Sequence, residues 1–228
     1  MFLVMVKTGL YHVNMAKQIS SASAAAPSRK PGRPSVAASA ENSEVRQRIL
    51  DTASALFYAR GVRAVGVDLV VEASGVAKTS LYRHFRTKDD LIVAFLERED
   101  DEFWEQWNGV AARHAGDAAG ELEAHMSWIA KRLARANYRG CPQINVAAEF
   151  AEADHPSREV SRRHMQAMRE HLEVIARGLG AARPDELAAQ LGVLINGAFV
   201  SASLLTPKEA PRVLLGSTRA LMAAARRG

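Results

Sequence analysis

The sequence predicts an all-α protein of about nine helices, and three observations carry that expectation. Alanine is abundant while runs of β-branched residues are scarce, which favours helix over sheet. Apolar residues recur at three- and four-residue spacing between the breaks. The breaks themselves fall at Gly61, Gly75, Gly140-Cys141-Pro142, Asp154-His155-Pro156, Gly180 to Pro184 and Pro207, where glycine ends helices and proline opens or follows them. A chain of 228 residues is long enough to enclose a sizeable core. With 15 glycines and 8 prolines it is neither collagen-like nor mucin-like, and with Cys141 alone it forms no intrachain disulfide and no multi-cysteine zinc site. No stretch reaches the roughly 18 to 20 apolar residues of a membrane helix. Met1 to Val6 is too short for a signal-peptide core before Lys7, so the expectation is a cytoplasmic protein with no membrane partner.

Residues 1–43 read as a flexible basic arm, because 15–43 is rich in Ser, Ala, Pro and Lys/Arg without an apolar period. Met15 is a second candidate start. Val45, Ile49, Ala53, Leu56 and Phe57 predict an amphipathic helix over 44–60, with Ser43 as its N-cap and Gly61 as its left-handed stop. Short helices follow over 67–74, ended by Gly75, and over 78–84. Thr87 before Lys88-Asp89-Asp90 has the form of a capping arrangement. The helix it opens carries Leu91, Ile92, Phe95, Leu96, Phe103 and Trp107 to about residue 113. Five more helices are expected near 118–137, 142–153, 157–179, 185–205 and 208–226. There is no internal repeat and no sustained heptad. The domain reading is an arm (1–43), a small helical head (44–90) and a helical body (91–228).

Charge sharpens that division. The net charge of +5 comprises +4 over residues 1–43, +2 over 44–90 and −1 over 91–228. A cationic front on a near-neutral body suggests that the front meets a polyanion.

Residues 67–84 have the plan of a helix-turn-helix, with the turn at Ser74-Gly75-Val76 and a small core closed by Val76 and Leu81. The second helix buries only Leu81 and part of Phe85. Otherwise it shows Lys78, Thr79, Ser80, Tyr82, Arg83 and His84, a set of donors and acceptors suited to phosphates and base edges in a major groove. The other reading is a solvated polar helix.

From Val45 to Phe95 the chain resembles the DNA-binding domain of TetR-family transcriptional regulators. The resemblance rests on Ile49-Leu50-Asp51-Thr52-Ala53, Leu56-Phe57, Arg60-Gly61, Ala73-Ser74-Gly75-Val76, Lys78, Thr87-Lys88 and Leu91. Its most specific stretch is Leu81-Tyr82-Arg83-His84-Phe85 followed by Lys88. The resemblance implies that residues 78–84 are the recognition helix. Tyr82, His84 and Lys88 would then sit on phosphates, and Thr79, Ser80 and Arg83 on base edges or mixed contacts. Arg46 and Arg48 are candidates for backbone contacts. Two departures stand out: Val65-Gly66 replaces the hydroxyl cap usual before the second helix, and Ala77 replaces the serine usual before the lysine. In the arm, Arg29-Lys30-Pro31-Gly32-Arg33-Pro34 is similar to an AT-hook, in which Arg33 would lie in a narrow minor groove. A merely solubilising tail is the alternative.

In the body, Leu187 to Leu205 is apolar or small nearly all round, so it needs cover on both sides. A second copy or the core of a monomer would supply it. The resemblance implies a homodimer through the last two helices, with two recognition helices about one DNA turn apart on a palindrome. Tyr138-Arg139-Gly140-Cys141-Pro142 with Asn145 is similar to a subgroup bearing Gly-Cys-Pro-x-x-Asn. Cys141 is either an oxidant- or electrophile-sensing thiol or an inert buried one. Trp104, Trp107 and Trp128 either line an effector cavity, with Cys141 and Asn145, or fill the core. His125, His164 and His171 show no metal-ligand spacing, and no cofactor is implied. No catalytic motif is present: there is no Gly-x-Ser-x-Gly, no Walker loop and no His-Glu-x-x-His. The expected function is a dimeric repressor released from its operator by a small-molecule effector that moves the helix starting at Lys88. The rivals are a DNA-binding regulator without an effector, and a helical small-molecule-binding protein or enzyme.

Overall fold

Ile49, Leu50, Ala53 and Phe57 turn one face of the first helix, α1 (Val36–Arg60), inward. In the computed structural model, residues 36–201, 204–206 and 208–225 are described, with side chains from residue 41. Helix α1 starts before the expected residue 44, so Ser43 lies inside it and does not cap it. Gly61 ends it at φ 86°, a left-handed turn, and its N–H reaches Phe57 O at 2.9 Å.

Helix α2 (Val67–Ser74), Gly75 at φ 65° and α3 (Lys78–His84) form the expected helix-turn-helix with the expected ends. Neither Gly66 nor Ala77 caps its helix through a side chain, as those two departures led us to expect. At α4 (Lys88–Arg113) the capping box closes: Thr87 Oγ1 accepts from Asp90 N–H at 3.0 Å, and the Asp90 carboxylate accepts from Thr87 N–H at 3.1 Å.

The remaining helices are α5 (Ala118–Leu133), α6 (Pro142–Glu149), α7 (Pro156–Gly178), α8 (Pro184–Val200) and α9 (Glu209–Ala225). Helices α5, α6 and α8 stop four or five residues short of the expected ends. Among the described residues there are nine helices and no strand. Helix α7 packs chiefly on α8, and α9 lies across α5 and α8. Two cores result. The body core gathers Phe103, Trp107, Leu122, Met126, Ile129, Leu172, Leu187, Leu191 and Ile195. The head core runs from Ile49 through Leu81 and Phe85 to Leu96, and it also takes in Val146 of α6, Phe150 just past its end and Val160 of α7. Head and body are thus built through one another.

Candidate nucleic-acid interface

Helix α3 is fastened by one side chain. Leu81 is fully buried, Phe85 just beyond the helix end is buried too, and Val76 closes the turn beneath them. Thr79, Tyr82 and Arg83 are exposed, Tyr82 at 43%, while Ser80 and His84 are half-buried. Among the described residues, Lys78 alone on this helix has a side-chain partner, its Nζ lying 2.6 Å from Asp68 Oδ1 of α2. The hydrogen bond and charge of Asp68 raise the Lys78 ammonium above its ordinary pKa, keeping it cationic. Such an exposed pair is weak and exchangeable for a phosphate.

Arg46 of α1 lies over the Phe85 ring, with Cζ 5.0 Å from the centroid. It therefore borders the C-terminal end of α3. Burial first, then the charges of Arg83 and Arg46, push the His84 imidazole below its usual value. His84 is thus a neutral hydrogen-bonding group in a cationic setting. Lys88 is half-buried at the start of α4; burial lowers its pKa while Asp89 and Glu149 work against that. Arg48 is exposed on α1. Arg33 and the basic stretch around it lie outside the described residues.

Behind this surface is a junction that the sequence did not announce. The Glu149 carboxylate, at the end of α6, accepts from Val62 N–H at 3.1 Å and from Arg63 N–H at 2.7 Å. Tyr58 Oη accepts from Arg139 N–H at 2.9 Å, and the Arg139 guanidinium donates back to the carbonyls of Tyr58 and Ala59. Gln143 Nε2 donates to Leu96 O at 2.9 Å, and Ser161 Oγ donates to Gln143 O at 3.0 Å. These bonds join residues about 18 to 87 positions apart in sequence, so no local spacing signals them.

The ligand candidates divide. Trp104, Trp107 and Trp128 surround Phe103, with ring centroids 5.0 to 5.9 Å from it. They pack ring on ring, and Trp107 is fully buried, so here they fill the core. His171 stacks on Trp104 and His125 on Trp107. Asn145 clamps the turn before α6, its Nδ2 donating to Arg139 O at 2.7 Å. Cys141 is buried among Phe103, Tyr138, His164 and Phe199 around a small closed space. The larger openings lie elsewhere. A cleft of about 610 Å³ between α6 and α7 is lined by Gln143, Ile144, His155 and Met165, among others. An apolar recess of about 330 Å³ between α5, α8 and α9 is lined by Leu133, Leu194 and Leu214, among others. Among the described residues, no cluster of three or more His, Cys, Asp and Glu side chains is arranged to hold a metal ion, and no helix is long and apolar enough to cross a membrane.

A three-helix head with an anchored, polar second helix of a helix-turn-helix defines a DNA-binding transcriptional regulator. Residues 49–95 match the family model described as bacterial regulatory proteins, tetR family, so the head of the chain is of that family's DNA-binding type. It is 29% identical over 186 residues to an uncharacterized HTH-type transcriptional regulator, YxaF of Bacillus subtilis, covering 75% of this chain and 90% of that one. It is 41% identical over 58 residues to the HTH-type transcriptional activator FasR of Mycolicibacterium smegmatis, covering 25% of this chain and 26% of that protein. With FasR the chain therefore shares about a quarter of the relative's length. The crystal structure of a TetR-family regulator from Streptomyces coelicolor superposes with a TM-score of 0.77 at 28% identity, over 80% of this chain and 96% of that one.

Proposed function

We propose that the chain acts as a homodimeric repressor that grips a palindromic operator through α3 and releases it when a small molecule binds the body. The observation that carries the reading is α3 itself: one buried anchor, with a row of polar side chains left free for phosphates and bases. Thr79, Ser80, Arg83 and Lys78 would meet the groove, with Tyr82, Arg46, His84 and Lys88 on the flanking phosphates. Arg33 of the arm would add a minor-groove contact.

Dimerisation is supported by what α8 and α9 leave uncovered. Val193, Gly197 and Val200, with Leu204 beyond the helix end, follow one helical stripe, and the three apolar side chains are 73%, 68% and 80% exposed. On α9 the exposed residues Val213, Gly216, Ala220 and Ala223 follow another. Small residues beside bare valines allow two helix pairs to approach closely, and a twofold contact would pair each stripe with its own copy. Replacing Val200 with Glu tests this. In sedimentation the parent should run at twice 24.8 kDa and the variant at 24.8 kDa, with operator affinity lost in parallel. A variant that remains dimeric would contradict the assigned interface.

A regulator that needs no effector is the second reading, and the close packing around the three tryptophans favours it. It requires operator affinity to be indifferent to every small molecule that the protein encounters.

A further inference from the structure

Buried polar groups without partners are costly, so several of them facing one space call for an explanation. Among the described residues, His164 Nε2 and Tyr138 Oη are buried with no hydrogen-bond partner, and both residues line the closed space that also holds Cys141. The His164 side chain is only 2% exposed. Its other ring nitrogen, Nδ1, is fixed 2.6 Å from Asp100 Oδ1, and the same carboxylate oxygen accepts from Trp104 Nε1 at 2.9 Å. The result is a carboxylate, an oriented imidazole and a thiol in sequence, the arrangement that activates a sulfur nucleophile. Burial pushes the His164 pKa down, but the hydrogen bond that Nδ1 makes to Asp100, with the Cys141 sulfur nearby, outweighs it and lifts the imidazole to about 9, so Nε2 carries a proton to give.

From this geometry we infer that Cys141 is a reactive site for small α,β-unsaturated carbonyl compounds, with His164 and Tyr138 positioned to hold the carbonyl oxygen. Two unsatisfied donors suit one carbonyl oxygen, and a thiol beside them suits the β-carbon three bonds further on. The addition balances without any other reactant. A sulfur lone pair forms the C–S bond to the β-carbon, and the C=C pair shifts to give the enolate. The enolate takes the Nε2 proton, the thiol proton replaces it on His164, and nothing leaves or is oxidised. Glu99, raised in pKa by its own burial, Arg132 and Gln143 complete the polar lining.

The space measures only about 10 Å³, room for roughly one water, so a bound enal has to displace its wall. That wall includes Tyr138, next to Arg139, which holds the C-terminal end of α1 through Tyr58 and Ala59. Adduct formation thus pulls on a strut of the DNA-binding head. This step rests on the effector-released repressor proposed above, and it names the effector's chemistry.

The test treats the native full chain, alone and bound to its operator, with acrolein, and follows intact mass alongside DNA release. The sequence contains one cysteine, so an adduct formed with one equivalent of acrolein and missing in Cys141→Ser reports Cys141. Native protein is expected to gain one adduct and to release DNA in step with it, while Cys141→Ser binds operator, gains none and stays bound. His164→Gln should slow the addition by about a hundredfold. It should also make the rate rise tenfold per pH unit through neutrality, a steepness that loss of packing alone would not produce. Modification only after unfolding in guanidinium would overturn the proposal, and so would an adduct that leaves DNA binding unchanged. Failure of untreated protein to bind any operator would instead overturn the repressor reading, with the native-state alkylation rate still deciding the reactivity of Cys141.

Discussion

Helices α3 and α6 are alike in length, seven and eight residues, yet they use their polar groups in opposite ways. In α6, Gln143 is tied to Leu96 and Ser161, Asn145 to Arg139, and Glu149 to the backbone of residues 62 and 63. In α3, no side-chain bond to the rest of the protein is made by Thr79, Ser80, Tyr82, Arg83 or His84 among the described residues. A polar side chain that is bonded internally specifies the fold. One left free beside a cationic neighbour such as Arg46 is available to a partner. Polar side chains therefore mean different things in the two helices, and three-dimensional partners decide which.

Exchanging a residue in each helix separates these roles. Tyr82→Ala should weaken operator binding by about 1.5–3 kcal/mol, roughly ten- to a hundredfold, for the loss of a hydrogen bond to a charged phosphate. Thermal melting should be unchanged, because the ring is 43% exposed. Glu149→Ala should do the reverse, lowering the stability of the head by about 1 kcal/mol as two backbone N–H groups lose their acceptor. Hydrogen exchange at Val62 and Arg63 would register that loss first.

How far this contrast was legible in the sequence follows from the range of the interactions. Gly61, Gly75 and the Thr87–Asp90 box act within four residues, so the helix ends they set were readable to the residue. Ser43 misled because the Ala-rich stretch before it continues the helix to Val36. The reading of 118–137 ran past Leu133 because local propensity carries on there. The chain instead turns to bring Tyr138 into the core and Arg139 to Tyr58. For the same reason 142–153 stops at Glu149, whose carboxylate serves α1's exit loop, and Phe150 enters the head core. The free surface of α3 was visible because it depends on an absence of apolar residues. The coupling through α6 was not, since its partners are distant in sequence.

The last expected effect concerns two buried histidines with opposite signs. His164 is lifted to about 9 from an unfolded value near 6.5, so its stabilisation is complete below about 6.5 and is lost as pH rises through 9. His125 is pushed down to about 3 by burial, with His171 and His114 adding to it. Its contribution is complete above about 6.5 and is lost as pH falls toward 3. Melting temperature followed against pH should therefore fall on both sides of about 6.5. His164→Gln should flatten the alkaline limb alone, and His125→Phe the acid limb alone.

The free polar face of α3 is the central claim, and selection of bound duplexes from a random pool by the full chain tests it most directly. The account predicts enrichment of an inverted repeat with half-sites about one helical turn apart, lost in Tyr82→Ala. A pool that emerges as random as it entered, at low ionic strength and with the head folded, would contradict it.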